Sequence, residues 1–325
     1  MDMPSLDILG IGNAIVDVLA PTHEAFLIAR GLPKGGMQLI STSQAEALYA
    51  AMPAGVESSG GSAANTCAVA AALGAKVGFL GKVAADQLGQ VFAHDIKAAG
   101  VHFPTAALAD GAPTARCLIL VTPDGQRTMN TFLGACVTFG PEDVDPAEVA
   151  RAKVVYLEGY LFDPPEAQAA FRAAAKAAHA AGRKVALTLS DPFCVGRHRD
   201  AFRAFVAEEC DILFANEAEI LALYETDDFE AAALHVAQDV EIAALTRSEH
   251  GSVILSGAAR HVVTAQPTHV VDTTGAGDAY AAGFLAAWTR GLPLAEAGRW
   301  GSIAAAEVIS HYGARPQADL KILVS

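Results

Sequence analysis

Basic residues, metal-binding cysteine pairs and long apolar runs are all scarce in this sequence. Its 325 residues contain 22 lysines and arginines against 36 aspartates and glutamates, so the formal net charge is −14. A negative field opposes binding to nucleic-acid phosphates and to anionic lipid surfaces. No apolar run approaches the roughly 18 residues that a membrane-spanning helix needs. We therefore expect neither a nucleic-acid partner nor a membrane partner.

Cysteine usage points to a reducing compartment. The five cysteines are odd in number, and no two of them stand in a spacing typical of zinc ligands. A disulfide framework normally needs an even set in a secreted chain. The pattern therefore predicts a cytoplasmic protein without structural disulfides.

Short apolar runs alternate with alanine-rich helical segments along most of the chain. Residues 6–11 and 77–80 have the composition of buried strands, and residues 62–73 between them that of a helix with Ser62 as its N-cap. Similar pairs follow between residues 154 and 289. This alternation predicts an α/β fold in which helices cover both faces of a mostly parallel sheet. We expect one domain spanning residues 1–325.

Two segments interrupt this alternation, approximately residues 14–44 and 103–134. The second has the pattern of paired strands around the turn Pro123–Asp124–Gly125. Ligands of α/β proteins bind beyond the carboxyl ends of the strands. We therefore expect the two insertions to form a small β-sheet that acts as a lid over this edge.

The strongest local motif is Asp-Thr-Thr-Gly-Ala-Gly-Asp at residues 272–278, directly before an apolar helix. The amides of Gly275, Ala276 and Gly277 lie at the helix N-terminus, where donors are free and the dipole is positive, so they can form an anion hole. The Asp278 carboxylate should stay ionised and can accept a proton from a hydroxyl that attacks a phosphoryl group. A plain glycine turn with Asp278 as a dipole partner is the alternative.

This motif resembles the C-terminal signature of the ribokinase-like carbohydrate and nucleoside kinases. Two further signatures of that superfamily stand in the expected order, Gly-Gly-Ser-Ala-Ala-Asn at residues 60–65 and Asn-Glu-Ala-Glu at residues 216–219. The resemblance covers nearly the whole chain. It implies a ribokinase-like three-layer α/β/α domain with a small β-sheet lid, and an enzyme that transfers phosphate from ATP to a hydroxyl.

Within this superfamily the chain is most similar to the adenosine kinases. Residues 12–17, 187–193 and 211–217 resemble their GNxxxD, NLSxPF and DILFGNE segments, and residues 127–135 resemble their lid hairpin. The resemblance implies that the 5′-hydroxyl of adenosine is phosphorylated to give AMP and ADP. It also implies Mg²⁺, and it allows a K⁺ ion near residues 272–277.

The resemblance assigns two groups of residues to the acceptor substrate. The ribose is expected to contact Asn13, Asp17, Gly61 and Asn65. The base is expected to lie against Met37, Leu133 and Tyr160, with Phe162 as an alternative stacking residue. Taken alone, the polar residues also fit turns and surface positions, and the apolar residues also fit lid or core packing.

A third group is expected at the nucleotide and the transferring phosphate. The nucleotide contacts are Asn216, Thr246, Arg247 and Gly251, and Glu219 is expected to act on Mg²⁺ indirectly, through water or phosphate. Arg127 is expected to swing over the phosphate, although a solvated turn arginine is the alternative. Asn216 and Glu219 also fit a helix capping box. Ser248 replaces a glycine that is common in relatives.

The sequence also fits other functions. The acceptor can instead be that of a ribokinase, a fructokinase, a 2-keto-3-deoxygluconate kinase or an inosine–guanosine kinase. An apolar pocket around Leu133 and Tyr160 would favour a nucleoside, since a free sugar does not need one. A catalytically inactive nucleotide-binding regulator is the alternative from another class, and a monomer and a homodimer are both compatible with the sequence.

Overall fold

The computed structural model describes residues 4–325, which form two β-sheets and a set of flanking helices. The strands are β1 Leu6–Ile11, β2 Ile15–Pro21, β3 Met37–Leu39, β4 Val56–Gly60, β5 Val77–Leu80, β6 Val101–His102, β7 Ala115–Val121, β8 Arg127–Phe132, β9 Ala152–Glu158, β10 Lys184–Thr188, β11 Ile212–Asn216, β12 Ile242–Thr246, β13 Ser252–Ser256 and β14 Ala259–Val263.

Thirteen α-helices occupy the described residues. They are α1 Glu24–Ala29, α2 Thr42–Ala51, α3 Ser62–Ala72, α4 Gln87–Ala98, α5 Pro146–Ala150, α6 Pro165–Ala180, α7 Pro192–Arg197, α8 Arg199–Glu209, α9 Glu217–Tyr224, α10 Phe229–Asp239, α11 Ala276–Trp288, α12 Leu294–Val308 and α13 Leu320–Val324. None of them is long and apolar enough to cross a membrane. All five cysteines are free and buried.

The large sheet has nine strands in the order β14-β13-β12-β11-β10-β9-β1-β5-β6. Strands β12 to β6 in this order are parallel, and only β13 runs in the opposite direction, antiparallel to both β12 and β14. Both faces are covered, because Ile8 of β1 packs into one core with α3, α4 and α11, while Leu9 packs into a second core with α6 and α8. The predicted three-layer α/β/α fold is confirmed.

The small sheet has five strands in the order β3-β8-β7-β2-β4. Strands β7 and β8 form the hairpin expected around residues 123–125. Strand β4 lies outside the predicted insertion at residues 14–44 and was not predicted as a strand. Its polar sequence has no alternation of apolar and polar residues that would indicate one. It joins the sheet by pairing with β2 from Ile15 opposite Gly60 to Leu19 opposite Val56, and it leads directly into α3.

Side chains on the two faces of the small sheet have different neighbours. Val16 and Val18 of β2 are buried in the core that contains α3 and α4. Successive strand residues point to opposite faces, so Asp17 points to the other face. This alternation gives the sheet an apolar face toward the core and a face that carries a carboxylate.

Candidate active site

The candidate site lies where the carboxyl ends of β1 and β9 meet the N-termini of α3 and α11. Asn13 follows β1, Glu158 ends β9, and Asp278 stands in the first turn of α11. Hydrogen bonds bring these groups together with residues 62–65 of α3. This is the sheet edge at which ligands of parallel α/β folds bind.

The Asp278 carboxylate is held by two side chains from α3. Ser62 Oγ donates to Asp278 Oδ1 at 2.6 Å, and Asn65 Nδ2 donates to Oδ2 at 3.4 Å. Burial raises the pKa of Asp278 to about 6, against the lowering effect of these hydrogen bonds and of Arg315. The carboxylate is therefore a stronger base than the ordinary aspartate expected from the sequence, and it is still mostly ionised at neutral pH.

Ser62 differs from its predicted role as the N-cap of α3. Gly61 occupies the N-cap position with φ 96°, and Ser62 is the first helical residue. A side chain at Gly61 would be strained at this φ, and its Cβ would overlap the carbonyl oxygen of Asn13. The Ser62 hydroxyl is consequently directed to Asp278 instead of capping its own helix.

The loop before α11 leaves amides available at the helix N-terminus. Gly275 is the N-cap with φ 78°. Among residues 4–325 no protein acceptor is found for the amides of Gly275 and Gly277, whereas the Ala276 amide donates to Thr273 O at 3.2 Å. The predicted three-amide anion hole therefore has two open donors, because the turn engages the Ala276 amide.

Arg127 reaches from the start of β8 to this loop. Its Nη1 forms a 2.7 Å ion pair with Asp272 Oδ2 and a 3.2 Å hydrogen bond to Thr274 Oγ1. Only 9% of the side chain is exposed, and Nε and Nη2 are buried without a partner among the described residues. The alternative of a solvated turn arginine is therefore wrong, and the guanidinium has a free edge beside the glycine loop.

Asp272 joins three distant parts of the chain. Besides Arg127, its Oδ2 accepts from the Gly313 amide at 3.1 Å. Its Oδ1 accepts from the amide of Thr274 at 3.1 Å and from the Thr274 hydroxyl at 2.7 Å. The small sheet, the glycine loop and the segment after α12 consequently share one carboxylate.

Asn13 is 3% exposed and donates from Nδ2 to Glu158 Oε1 at 2.7 Å. Glu158 Oε2 accepts from the Ala63 amide at 2.8 Å, so this buried carboxylate connects β1, β9 and α3. Burial raises the pKa of Glu158 to about 7. Glu158 was not among the residues predicted from the sequence. The only local signal was a single acidic residue at the end of an otherwise apolar strand.

Asp17 lies on β2, between Ser58 of β4 and Cys117 of β7. A Cβ added at Gly60 would overlap its carboxylate, so the glycine backbone packs directly against it. Burial raises the pKa of Asp17 to about 6, while Arg315 and Arg127 oppose the rise. The alternative of an exposed surface aspartate is therefore wrong, because the acid is half-buried, desolvated and near two cations.

The predicted base-pocket residues do not form a closed pocket. Met37 is 60% exposed on the edge strand β3, and Tyr160 is 43% exposed in the short helix after β9. Leu133 follows β8 and is half-buried. Phe162 is excluded as a stacking residue, because its ring is buried against Phe202 at 4.1 Å between ring centroids.

The Asn216 and Glu219 pair forms the capping box of α9. Asn216 Oδ1 accepts from the Glu219 amide at 2.9 Å, and Glu219 accepts from the Asn216 amide at 2.9 Å and from its Nδ2 at 2.6 Å. Glu219 is 5% exposed, and burial raises its pKa to about 7. Since both carboxylate oxygens are engaged, the geometry fits an indirect role toward a metal better than direct ligation.

A cavity of ≈ 410 Å³ lies beside this capping box and is lined by Asn216, Thr246 and Arg247 among others. Arg247 does not offer a free charge there, because Glu217 accepts from its Nη2 at 3.0 Å and from its Nε at 3.2 Å. Ser248 takes the missing glycine's place at φ 50°, a region that L residues rarely adopt. Gly251, at φ 81°, closes the turn.

Arg315 was not predicted from the sequence either. This residue lies after α12 in a segment without a regular pattern, and it donates hydrogen bonds to the main chain on both sides of the Gly60–Gly61 turn. Burial lowers its pKa, against the effect of the carboxylates of Asp95, Asp17 and Asp278.

The chain belongs to the pfkB family of carbohydrate kinases, which it matches over residues 36–320. It is similar to the crystal structure of adenosine kinase from Sinorhizobium meliloti, with 53% sequence identity, coverage of 98% of each chain and a TM-score of 0.89. The ATP-dependent ribose-1-phosphate kinase of Halopiger xanaduensis is 33% identical over 81% of this chain and 85% of its own length. The adenosine kinase of Saccharomyces cerevisiae is 29% identical, with coverages of 89% and 92%.

The family membership defines the reaction class. The protein is a phosphotransferase that uses a hydroxyl group of a small sugar or nucleoside as the acceptor, with ATP as the co-substrate. The relatives named above act on different acceptors, so the family does not identify the acceptor.

Proposed function

We propose that the protein transfers the γ-phosphoryl group of MgATP to the 5′-hydroxyl of adenosine and produces AMP and ADP. The observation that carries this proposal is the Asp278 carboxylate, which Ser62 and Asn65 orient beside the open amides of Gly275 and Gly277. The 53% identity to an adenosine kinase over 98% of the chain supports adenosine as the acceptor.

In this proposal Asp278 accepts the proton of the attacking hydroxyl, and a pKa of about 6 suits that step near neutral pH. The amides of Gly275 and Gly277 and the free edge of Arg127 stabilise the charge on the transferring group. Closure of the small sheet excludes water, which otherwise competes with the acceptor hydroxyl.

Asp17 is proposed to hold the ribose, because an ionised carboxylate can accept from both hydroxyls of a vicinal diol. Asn13, Gly61 and Asn65 line the same region of the site, although the Nδ2 group of Asn13 is already bound to Glu158. Asn13 therefore keeps its carbonyl oxygen and the second hydrogen of Nδ2 for a substrate hydroxyl, and Nδ2 of Asn65 is shared with Asp278.

ATP is proposed to occupy the cavity beside Asn216, Thr246 and Arg247, with Gly251 closing the turn at its edge. Among residues 4–325 no cluster of three or more acidic, histidine or cysteine side chains could hold a metal by itself. This arrangement fits Mg²⁺ that arrives bound to the nucleotide phosphates, with Glu219 acting through water. The metal would neutralise the phosphate oxygens during transfer.

A second acceptor class is favoured by one observation. Met37 is exposed on β3 of the small sheet and Tyr160 is exposed in the short helix after β9, so these two side chains do not enclose a purine in this conformation. A free or phosphorylated sugar does not need such a pocket. The ribose-1-phosphate kinase at 33% identity supports the same alternative.

An ADP-release assay tests both candidates. The purified protein is mixed with MgATP and, in separate reactions, with adenosine, inosine, guanosine, ribose, ribose 1-phosphate, fructose and 2-keto-3-deoxygluconate. We expect the highest kcat/KM with adenosine. Turnover only on a sugar would reject the adenosine assignment and keep the reaction class. An Asp278→Asn variant measures contaminating kinase activity.

Retention of ATP binding without turnover on any acceptor would instead support an inactive regulator. Isothermal titration with a non-hydrolysable ATP analogue separates that outcome from a protein that is simply misfolded. The intact Asp278 site leads us to expect turnover.

A further inference from the structure

Arg315 places one guanidinium between the small sheet and helix α3. Its Nη2 donates to Ser59 O at 2.6 Å and to Ser59 Oγ at 2.9 Å, and its Nη1 donates to Ala64 O at 3.2 Å. Ser59 is in β4, whereas Ala64 is in the first turn of α3. The two fixed points flank the turn formed by Gly60 and Gly61.

The residues on this turn and the helix start are those that contact the site carboxylates. Gly60 packs against Asp17, the Ala63 amide binds Glu158, and Asn65 binds Asp278. Since Arg315 fixes both ends of residues 59–64, it limits how far these contacts can shift. Asp95 strengthens one end, because its Oδ2 accepts from the amide of Ser59 at 2.8 Å and from the Ser59 hydroxyl at 2.5 Å.

The charge of Arg315 faces titratable groups on four elements. These are Asp17 on β2, Asp95 on α4, Cys67 on α3 and Asp278 on α11. A nearby cation favours the ionised form of a carboxyl group. Arg315 is the largest opposing charge at Asp17, where Arg127 also contributes, and it is the cation that lowers the pKa of Asp278.

We infer that Arg315 is a positioning residue of the phosphotransfer site, which braces the glycine turn against α3 and places a fixed positive charge beside Asp17 and Asp278. The inference rests on the proposed function for the roles of these two acids. It gives a role in the active site to the segment between α12 and α13, which lies outside all of the recognised motifs. The bidentate fork of arginine suits this position, because it can reach two carbonyl groups at once.

Two substitutions separate the effect of the Arg315 charge from the effect of its hydrogen bonds to Ser59 and Ala64. Arg315→Lys keeps the positive charge, but an ammonium group lacks the fork that spans Ser59 and Ala64. Arg315→Gln removes the charge as well. Arg290→Gln is the matched control, because Arg290 donates to Leu73 O at 2.7 Å near the other end of α3 and faces neither acid. All variants are compared with the unmodified protein by circular dichroism and thermal unfolding.

The pH dependence of kcat/KM gives a readout that a purely structural residue would not move. Loss of the cation destabilises the ionised carboxylates, so their pKa rises and the acid limb of the profile moves to higher pH. We expect a shift of about one pH unit or more in Arg315→Gln, the lower end of the effect of a neighbouring opposite charge. Arg315→Lys should keep the limb within about 0.3 unit and raise the acceptor KM, and Arg290→Gln should change neither.

An acid limb and an acceptor KM that are the same in Arg315→Gln as in the unmodified protein would overturn the inference. If Arg315→Gln does not fold, Arg315→Lys decides, because an unchanged acceptor KM in this variant removes the bracing role. If both variants fold and the acid limbs of their kcat/KM profiles lie at the same pH, Arg315 has no electrostatic role.

A measurement without substrate separates failure of this inference from failure of the proposed function. Carboxyl ¹³C signals of protein labelled at aspartate Cγ give the pKa of Asp17 and Asp278 directly, and Asp→Asn variants assign the two signals. Both pKa values should rise in Arg315→Gln. Unchanged values would overturn the electrostatic role even if adenosine is a substrate, and raised values would support it even if the acceptor is a sugar.

Discussion

Ser62 donates a 2.6 Å hydrogen bond to Asp278, although 216 positions separate the two residues in sequence. The bond exists because the N-termini of α3 and α11 converge at the same edge of the central sheet. One carboxylate oxygen is thereby fixed, and Asn65 constrains the other at 3.4 Å. The proposed base is therefore oriented before a substrate enters, and this reduces the ordering that the reaction step requires.

The first prediction concerns loss of the base. Asp278→Asn keeps the shape of the side chain but cannot accept the hydroxyl proton, so we expect kcat to fall about 10²- to 10⁴-fold. Single-turnover measurements with saturating MgATP and adenosine test this directly. A kcat within threefold of the original would contradict the mechanism, and Ser62→Ala should cause a smaller loss.

The same substitution should stabilise the fold at neutral pH. The pKa of Asp278 is raised from 3.8 to about 6, so the folded state binds more protons than the unfolded state between these values. The free energy of unfolding therefore falls as the pH rises through this window. Urea unfolding at pH 8 should show Asp278→Asn more stable by about 1–3 kcal/mol, and the difference should vanish near pH 4.

Activity should decline on the acid side of pH 6. Asp17 and Asp278 both have a pKa raised to about 6, and both are proposed to act as carboxylates. When two required groups become protonated together, log kcat/KM falls with a slope approaching 2. An Asp17→Asn variant should reduce this slope to about 1, and an unchanged slope would show that Asp17 is not the second group.

Gly277 offers a test of the anion hole that leaves the fold intact. A Cβ at Gly277 meets nothing within 4 Å, so Gly277→Ala has room in the protein alone. The added methyl group would stand beside the open amides and obstruct a phosphoryl group. We expect an unchanged Tm and about a 10²-fold loss of kcat, similar to loss of one oxyanion donor. Gly196→Ala, also in open space, is the control and should be fully active.

Gly60→Ala should affect the acceptor selectively. The new Cβ overlaps the Asp17 carboxylate and forces it to move. We expect a rise of about tenfold or more in the adenosine KM, equivalent to the loss of about one charged hydrogen bond, with the ATP KM unchanged. Equal increases in both KM values would indicate general distortion instead.

Arg127→Gln tests the contact between the small sheet and the glycine loop. The substitution removes a buried cation whose Nε and Nη2 have no hydrogen-bond partner among the described residues and which is proposed to face the transferring phosphate. We expect kcat to fall about 10²-fold. Arg260→Gln provides the comparison, because that exposed ion pair with Glu230 should contribute little. If both variants keep normal kcat, Arg127 has no role in phosphoryl transfer.

The fold could be predicted from sequence wherever apolar runs carry the information. Strand β5 has its predicted bounds, and β1 does as well, because burial on both faces gives continuous apolar runs with sharp ends. Strand β4 was missed, since Val-Glu-Ser-Ser-Gly has no such run. It is a strand because β2 offers an open edge to pair with, which is a tertiary property.

Some residues of the candidate site could likewise be predicted from the sequence, and others could not. Motif residues such as Asn65 and Asp278 could be found from their spacing, because local backbone geometry places them. Glu158 and Arg315 could not, because each acts through partners more than 90 positions away in sequence. The raised pKa of Asp278 could not be predicted from the motif either, since it arises from burial by neighbouring elements.

The site also has an order of assembly set by chain direction. Asn13 and Asp17 emerge from the ribosome long before Asp272, Asp278, Gly313 and Arg315. Asp272 cannot bind both Arg127 and Gly313 until the last of these segments has left the exit tunnel. A nascent chain can therefore form its early strands but has no complete centre, and it should begin to consume ATP only after Arg315 has left the exit tunnel.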